Sequence, residues 1–399
     1  MTPDEGAVLD AITAQRLLPM ATALVRAPGA NPPGEEAATA AVLTSLAAEL
    51  GLQVAEHDVA PGRPNVRVTL PGGDGPGLLF LGHTDVVPPG DPKDWTGDPY
   101  AGSVVEGRLG GRGSADMKGG LAAVLLALAA VREARLVPSG PVHLDALCDE
   151  EQNGLGIRAL VAGPRPDLLG CVVAEPTDLT TVVAARGASY LHVEVRGVAA
   201  HAGRPEDGRN AIGGAARVVA DLERWHEELR VDAHPLVGPA TLNVGVISGG
   251  TSGSAVPDLC RLEVDRRLLP GEPVDGVLDA LRHRLDRLDL DERGLTWTLS
   301  SPMDMPGFET SPHDPFVTAV DGAMSAAGRG PAPLAGWTAA CDGGFVADAW
   351  GIPVVVQGPG SVAEQAHRPD ESVAVDELVT AARGYARTVL ELLGPGATA

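Results

Sequence analysis

A histidine and an aspartate follow an apolar run and are the first residues in the chain with types suited to catalysis. The run 78–82 predicts a buried strand, and His83 and Asp85 come directly after it. Because side chains two residues apart on an extended chain point to the same side, His83 and Asp85 can act together. A neutral imidazole is a good zinc ligand, and a nearby carboxylate can hold its other ring nitrogen. Taken alone, the pair is also typical of a buried core histidine.

Acidic residues and a second histidine occur at the ends of further predicted elements. The acids that precede or follow an apolar segment are Asp116, Asp149, Glu150, Glu151 and Glu175. At Asp116, before an apolar helix, a carboxylate is also typical of a helix cap. Three acids in a row after an apolar strand raise one another's pKa unless a cation offsets their charge, which favours a bound cation over a solvated turn. His367, after a glycine-rich segment, is the last candidate.

These residues must be positioned by alternating strands and helices. Between residues 53 and 174 the alternation predicts an α/β fold, a three-layer α/β/α sheet with functional residues at the carboxyl ends of its strands. From 186 to 303 the order becomes β-α-β-β-α-β, which is the ferredoxin-like pattern. We therefore predict a catalytic domain formed by 1–185 and 304–399, interrupted by an inserted α+β domain. Helical spacing also predicts a single helix over 7–25 and further helices over 155–161, 211–229 and 375–393.

Composition limits the partners that this chain can bind. It has 399 residues, of which 44% are apolar, enough for two sizeable cores. A formal net charge of -23 disfavours nucleic acid and anionic membranes as partners. The four cysteines show no paired spacing and the N-terminus has no signal-peptide pattern, so we predict a cytoplasmic protein with reduced thiols. The longest apolar run, 121–131, is shorter than the roughly 20 residues that cross a bilayer and predicts a buried helix.

The ordered motifs resemble those of the M20 metallopeptidases, a family of deacylases and peptidases that includes acetylornithine deacetylase, succinyl-diaminopimelate desuccinylase and glutamate carboxypeptidase. Nearly the whole chain takes part in the resemblance. The segments that carry it are, in order, 83–85, 113–119, 149–151, 175–176, 201–205, 208–212, 265–267 and 366–371. The resemblance implies a zinc-peptidase catalytic domain with an inserted dimerisation domain that acts as a lid.

The resemblance also implies a centre that holds two zinc ions, although cobalt or manganese would suit mixed imidazole and carboxylate ligands as well. Asp116 would bridge the two ions. His83 and Glu175 would complete one metal site, and Glu151 and His367 would complete the other. Two such cations can lower the pKa of a shared water and polarise a carbonyl.

Two further residues receive roles from the resemblance. Glu150 would be the general acid/base, taking a proton from the attacking water and giving it to the leaving nitrogen. Asp85 would be the partner of the His83 ring. In the family the bond after the bridging aspartate is often cis, and we predict a cis peptide between Asp116 and Met117.

The substrate-binding residues implied by the resemblance lie mostly in the inserted segment. Relatives are usually homodimers through this domain, and His201 matches an imidazole that reaches the partner's active site as an oxyanion stabiliser. Arg267 and Asn210 match residues that hold the substrate carboxylate, and an arginine fork binds a carboxylate bidentately. The backbone at Gly358 and Gly360 is predicted to line the same pocket, because glycine permits close approach.

The resemblance gives one reaction and more than one substrate class. The first expectation is a metal-dependent amide hydrolase that removes the acyl group from an N-acyl amino acid. The alternative is a carboxypeptidase or dipeptidase of the same family that releases a C-terminal residue from a short peptide. A third alternative is an inactive binding or scaffold homologue. Ala340 stands where desuccinylases carry a hydroxyl residue, which weakens a diaminopimelate assignment.

Overall fold

The computed structural model describes residues 3–394, which divide into two compact units. The first unit is formed by the described residues up to Val183, by Thr310–Ala335 and by those from Phe345 onward. The second is formed by Ala184–Glu309 and Gly336–Gly344. The assignment of 186–303 to a dimerisation domain stays a prediction.

A mixed sheet runs through the first unit and brings the predicted site residues to one edge. Six of its nine described strands, in spatial order, are Gln53–Ala60, Arg63–Leu70, Val142–Leu147, Gly77–His83, Leu168–Val173 and Val354–Val356. The first two pairings are antiparallel and the remaining three are parallel. Parallel strands end at the same edge of a sheet, so the residues that follow each of them lie near one another.

The strand Gly77–His83 is buried along its whole length. Leu78 and Phe80 belong to the same apolar core as the long helix that follows Asp116, while the alternate residues Leu79 and Leu81 point to the opposite face and are buried there. A strand buried on both faces is typical of a sheet that is covered on both sides, which agrees with the predicted three-layer α/β arrangement.

The helix Gly119–Glu133 is the centre of this core, and 13 of its residues are buried. Together with the turn before it, the stretch Ser114–Glu133 is long and apolar enough to cross a membrane, yet 94% of its apolar window lies inside the fold. It is therefore the buried helix that the sequence predicts. A Cβ at Gly120 would meet the Ala174 carbonyl oxygen at 2.2 Å, so glycine allows the helix to approach the end of a neighbouring strand closely.

Seven further α-helices in the described part of the chain lie outside the four-stranded sheet of the second unit and its two helices. They are Pro3–Asp10, Ala14–Arg26, Ala37–Glu49, Leu155–Val161, Pro315–Met324, Gly343–Trp350 and Val375–Leu393. The predicted single helix over 7–25 is wrong, because the chain turns at 11–13 and forms two helices. The helices at 315–324 and 343–350 were not predicted. The last helix begins and ends where the sequence predicts.

A small sheet ties the C-terminal part of the first unit to the segment before Asp116. Its antiparallel strands are Ser103–Val105, Arg108–Gly110 and Ser372–Ala374. The sequence does not predict this sheet, because strands of three residues are too short to show alternation. Its consequence is that residues near 370 lie beside residues 110–116.

The second unit has the β-α-β-β-α-β order that the sequence predicts. Its strands, in spatial order, are Thr241–Gly249, Leu259–Leu268, Gly187–Arg196 and Thr296–Met305, and all neighbours are antiparallel. Helices Ala211–Leu229 and Val274–Asp286 share one apolar core with the sheet. In the strand from Gly187, buried residues alternate with exposed or partly exposed ones over 190–196, as expected of a sheet with one covered face.

The remaining strands are short. They are Val182–Ala185, Ala200–His201, Ala233–His234, Gly238–Pro239, Ala255–Val256, Phe308–Glu309 and Ala335–Trp337. Of these, Ala200–His201 pairs with Ala255–Val256 and carries one of the predicted site residues.

Candidate active site

His83, the last residue of its strand, has both ring nitrogens directed at defined partners. Nδ1 donates a hydrogen bond to the backbone carbonyl oxygen of Asp85 at 2.9 Å. In the neutral ring this places the proton on Nδ1 and leaves the Nε2 lone pair free. Nε2 lies 3.1 Å from an oxygen of Asp116 and 3.3 Å from an oxygen of Glu175. The ring therefore offers a lone pair to a space that two carboxylates also face.

The Asp116 carboxylate lies between two histidines. Its Oδ1 is 3.1 Å from His83 Nε2, and its Oδ2 is 3.4 Å from His367 Nε2. The peptide bond between Asp116 and Met117 is cis, as predicted. Asp116 is not the cap of the following helix, whose first residue is Gly119. One carboxylate that faces two imidazoles with different oxygens has the shape of a bridging ligand.

Glu151 completes the side of this cluster that contains His367. Its Oε2 lies 3.2 Å from His367 Nε2, while its Oε1 is buried and has no hydrogen-bond partner among the described residues. A buried carboxylate oxygen with no donor is costly unless a cation or water binds it. The side chains of Glu151 and His367 therefore suit the binding of a cation better than they satisfy each other's hydrogen-bonding groups.

Two groups of side chains within the cluster have the spacing of metal ligands. In each group, one possible ligand atom per residue lies within 4.8 Å of the others. The first group is His83, Glu150 and Glu175, and the second is His83, Asp116 and Glu151. All five predicted metal ligands, with Glu150 beside them, are thus brought together at the carboxyl edge of the sheet.

The electrostatics of the cluster reflect burial and close like charges. Burial, reinforced by the negative charge of Asp116, raises the pKa of Glu175 to about 8. Hydrogen bonds with Asp116 and Glu151 raise the pKa of His367 to about 10. Burial disfavours the charged form of Asp116, but the two histidines outweigh it and lower the pKa of that carboxyl. Three carboxylates this close need positive charge, which two divalent cations would supply.

Asp85 is completely buried, and its carboxylate accepts hydrogen bonds from the acidic turn rather than from the His83 ring. Its oxygens accept hydrogen bonds from the backbone N–H groups of Glu150 at 3.2 Å and Glu151 at 3.1 Å. The distance from its Oδ1 to His83 Nδ1 is 3.6 Å, beyond hydrogen-bond range. The predicted carboxylate partner of the imidazole is therefore replaced by the backbone carbonyl of the same residue.

A buried network of polar side chains links Asp85 and Asp149 to residues that precede them in the sequence. Asn31 donates from one amide nitrogen to Asp85 at 2.8 Å and to Asp149 at 2.9 Å. Arg63 then pairs with Asp149 at 2.7 Å and with Glu36. Burial of such charges is tolerated because each is paired. The sequence predicts no role for Asn31, Glu36 or Arg63, because they lie far from the motifs.

Gly358 and Gly360 lie beside the site but use their backbone groups within the fold. The N–H of Gly358 donates to Thr177 Oγ1 at 3.1 Å, and that of Gly360 donates to Glu377 at 2.9 Å. A Cβ at Gly358 would meet the Glu175 carbonyl oxygen at 2.6 Å. Both glycines therefore allow close packing against the segment that carries Glu175. Their role in substrate binding stays a prediction.

Cys148 directly precedes the acidic turn and is a core thiol, as the sequence predicts. Its side chain is fully buried, and burial raises its pKa to about 12. Its Sγ donates to the Arg63 carbonyl oxygen at 3.5 Å. A thiol with so high a pKa is a poor metal ligand, because the thiolate is the ligating form.

In the second unit, His201 and Asn210 are exposed and make only local hydrogen bonds. The Nδ1 of His201 accepts from the N–H of Gly203 at 3.0 Å. The Asn210 side chain accepts from the N–H of Gly213 at 3.0 Å and caps the helix Ala211–Leu229. Asn210 thus has a structural use that is independent of any substrate.

Arg267 carries a carboxylate partner from its own strand. Its Nε and Nη2 donate to the two oxygens of Asp265 at 2.8 and 2.9 Å, a bidentate pair in which both side chains are 30% exposed. The arginine thus has the fork geometry that suits a carboxylate. The sequence does not predict that the Asp265 carboxylate binds this fork.

Comparison with known proteins identifies the family of this chain. The family model of peptidase family M20/M25/M40 matches residues 79–391. An acetylornithine deacetylase of Aliivibrio salmonicida is 33% identical over 333 residues, which cover 82% of this chain and 84% of that protein.

Solved structures match over nearly the full length. The aminopeptidase PepT of Bacillus cereus has a TM-score of 0.75 at 25% identity and covers 95% of this chain and 99% of its own. The YXEP protein of Bacillus subtilis, described as a dinuclear metal-binding peptidase, has a TM-score of 0.71 at 17% identity and covers 95% and 98%. The chain is therefore a member of the M20 family and a metal-dependent amide hydrolase.

Proposed function

We propose that this protein is a two-metal deacylase that hydrolyses the amide bond of an N-acyl amino acid. The observation that carries the proposal is the Asp116 carboxylate between His83 and His367, with a further carboxylate beside each imidazole. A deacylase is favoured over a peptidase because the acetylornithine deacetylase of Aliivibrio salmonicida is 33% identical to this chain.

The proposed ligands form two sets that share one residue. His83, Asp116 and Glu175 would hold the first ion, and Asp116, Glu151 and His367 the second. Two divalent cations there would polarise the scissile carbonyl and lower the pKa of a water molecule between them. Mixed imidazole and carboxylate ligands suit zinc, and they also accept cobalt and manganese.

Glu150 is the proposed general acid/base. It lies in one ligand-sized group with His83 and Glu175, and its backbone N–H is anchored to the buried Asp85. From this position the carboxylate accepts a proton from the attacking water and returns it to the leaving nitrogen. The anchoring matters because a general base must stay within hydrogen-bond reach of the proton that it takes.

Residues of the second unit are proposed to bind the substrate. Since Nδ1 of His201 accepts a hydrogen bond, the neutral ring carries its proton on Nε2 and can donate to a developing oxyanion. Arg267 would bind the substrate carboxylate with its fork, in exchange for Asp265. Asn210 would assist it. We also propose a homodimer through this unit, with the edge strand Thr241–Gly249 at the contact, since Ile247 is 54% exposed.

The second candidate is a peptidase of the same family that cleaves a dipeptide or releases a C-terminal residue. The 25% identity to the aminopeptidase PepT over 95% of this chain supports this second candidate. An inactive scaffold is disfavoured, since every proposed ligand and the proposed base are present. Both active candidates use one reaction, so only the substrate separates them.

A substrate panel tests the proposal. Zinc-loaded protein is offered N-acetyl, N-succinyl and N-aminoacyl amino acids, and release of the free amino acid is measured. We expect the highest kcat/KM with an N-acyl amino acid that has a free carboxylate, and much lower values for its methyl ester. A preference for N-aminoacyl substrates would favour the peptidase, and hydrolysis of none would reject both candidates.

A further inference from the structure

Glu371 is a buried acidic residue to which neither the motifs nor the proposed reaction gives a role. Its carboxylate is 0% exposed and accepts four hydrogen bonds. Oε2 accepts from Arg112 at 2.6 Å and from the N–H of Gly113 at 3.1 Å, and Oε1 accepts from the N–H groups of Ala115 at 2.9 Å and Asp116 at 3.1 Å. Both carboxylate oxygens thus accept hydrogen bonds from one short segment, residues 112–116.

That segment is the turn that presents Asp116, and it satisfies only some of its own backbone N–H groups. Asp116 and Met117 have non-helical backbone angles, with φ of -119° and -132°. The N–H groups of Ser114 and Lys118 donate to carbonyl oxygens within the turn, whereas those of Gly113, Ala115 and Asp116 donate to Glu371. Buried backbone N–H groups need an acceptor. Glu371 supplies one from a distant part of the chain, and Arg112 balances its charge.

The anchor is itself held rigidly. The strand Ser372–Ala374 pairs with Arg108–Gly110, and the backbone carbonyl of Glu371 accepts from the N–H of Gly111 at 2.8 Å. Glu371 also follows His367 by only four residues. One short segment therefore carries a proposed metal ligand, His367, and the acceptor that fixes a second one, Asp116.

We propose that Glu371 is a positioning residue, which orients the turn 113–116 so that the Asp116 carboxylate offers one oxygen to each metal position. The inference rests on the proposed two-metal centre. A shift of about 0.5 Å is enough to spoil such a site, so the orientation of the bridging carboxylate must be defined by its surroundings. Four hydrogen bonds to one buried carboxylate provide that definition.

Glu371→Gln tests the inference, because glutamine has the same shape but only one acceptor oxygen. Its amide group would face two of the donors and release half of the turn. The full chain is freed of metal and titrated with cobalt(II) chloride, with heat and the visible absorption of the bound ion as readouts. We expect at least one of the two ions to bind about 10–100-fold more weakly, with an altered spectrum.

Asp370→Asn is the matched control. It removes the neighbouring negative charge, but Asp370 bonds to Thr96 on the surface and does not contact the turn. We expect its cobalt isotherm and spectrum to equal those of the wild type. A folded Glu371→Gln protein with a wild-type isotherm and spectrum would overturn the inference.

Glu371→Asp keeps the test decisive if the glutamine variant does not fold. It retains the charge but is one methylene shorter, so it cannot reach Arg112 and both Ala115 and Asp116 together. An intermediate loss of cobalt affinity supports the inference, and unchanged binding rejects it. If wild type and variants differ in this way while the wild type hydrolyses no substrate, the proposed function fails and the positioning role stands.

Discussion

The two units hold their candidate functional residues in contrasting ways. In the first unit, Asp85, Asp116 and Glu371 are fixed by partners that lie tens to hundreds of residues away in sequence. In the second, the side chains of His201, Asn210 and Arg267 are partly or fully exposed, and their hydrogen bonds among the described residues go to groups two or three positions away. The first set is organised by folding itself, whereas the second can exchange its local partners for a substrate.

Removing the metal ions should have the largest effect, because it removes the positive charge that the first unit is built to hold. After dialysis against a chelator, we expect activity to fall to background and Tm to fall, since the carboxylates of Asp116, Glu151 and Glu175 then repel one another. Activity and Tm are measured before dialysis, after it and after zinc is restored. Full activity in metal-free protein would falsify the two-metal proposal.

Glu150→Gln should lower kcat by about 10²–10⁴-fold while two ions stay bound, because the variant loses the proton acceptor but none of the proposed ligands. The neighbouring Glu151→Gln is the comparison, and it should instead bind less metal. Hydrolysis rates and metal content by atomic emission distinguish the two variants. Near-normal turnover in Glu150→Gln would remove that residue from its role.

His201→Ala should lower kcat by about 10²–10³-fold, the usual cost of one oxyanion donor. Because the ring is exposed and bonds only to Gly203, the Tm should not change. His57→Ala is the control, since this exposed histidine lies on the edge strand Gln53–Ala60, which Arg63–Leu70 separates from the strand before the acidic turn. If His201→Ala turns over substrate as fast as the control, the second unit contributes no catalytic group.

Arg267→Lys should raise KM about 10–100-fold, since the lysine keeps the charge and loses the bidentate fork. Arg261→Lys is the control on the same strand, because Arg261 is exposed and pairs with Glu194. Steady-state kinetics with the best substrate of the panel measure both. An unchanged KM would indicate that Arg267 pairs with Asp265 and does not bind the substrate carboxylate.

Asn210→Asp should have the smallest effect on stability and separates two roles for this residue. Aspartate is as good a helix cap as asparagine, whereas Asn210→Ala should cost about 1 kcal/mol of stability. If Asn210 also binds the substrate carboxylate, the aspartate variant should raise KM by charge repulsion. Urea unfolding and KM are both measured, and an unchanged KM leaves capping as its only role.

The sequence predicted those parts of the molecule that depend on local pattern. The helices Leu155–Val161, Ala211–Leu229 and Val375–Leu393 begin and end where apolar spacing predicts. Four of the five proposed metal ligands were found because each follows a buried strand or precedes a buried helix within a recognisable motif, whereas His367 was found from its motif alone. The three-residue strands near 104, 109 and 373 were missed because they carry too few residues for a period.

The supporting residues were missed for a different reason. Asn31, Arg63 and Glu371 act through contacts with residues that are 27 to 259 positions away in sequence. Nothing local distinguishes Asn31 and Arg63 from ordinary polar residues, and Glu371 lies in the motif 366–371 without a pattern that gives it a role. The pairing of Arg267 with Asp265 is local, but a strand spacing of two does not by itself say that the side chains bond.

The burial of Cys148 beside the acidic turn has a practical consequence for redox behaviour. With a pKa of about 12, almost none of this sulfur is ionised near neutrality, and the ionised form is the one that reacts with alkylating agents and peroxide. The centre thus combines hard oxygen and nitrogen donors with an inert neighbouring sulfur. Alkylating agents and peroxide are therefore expected to modify Cys148 slowly.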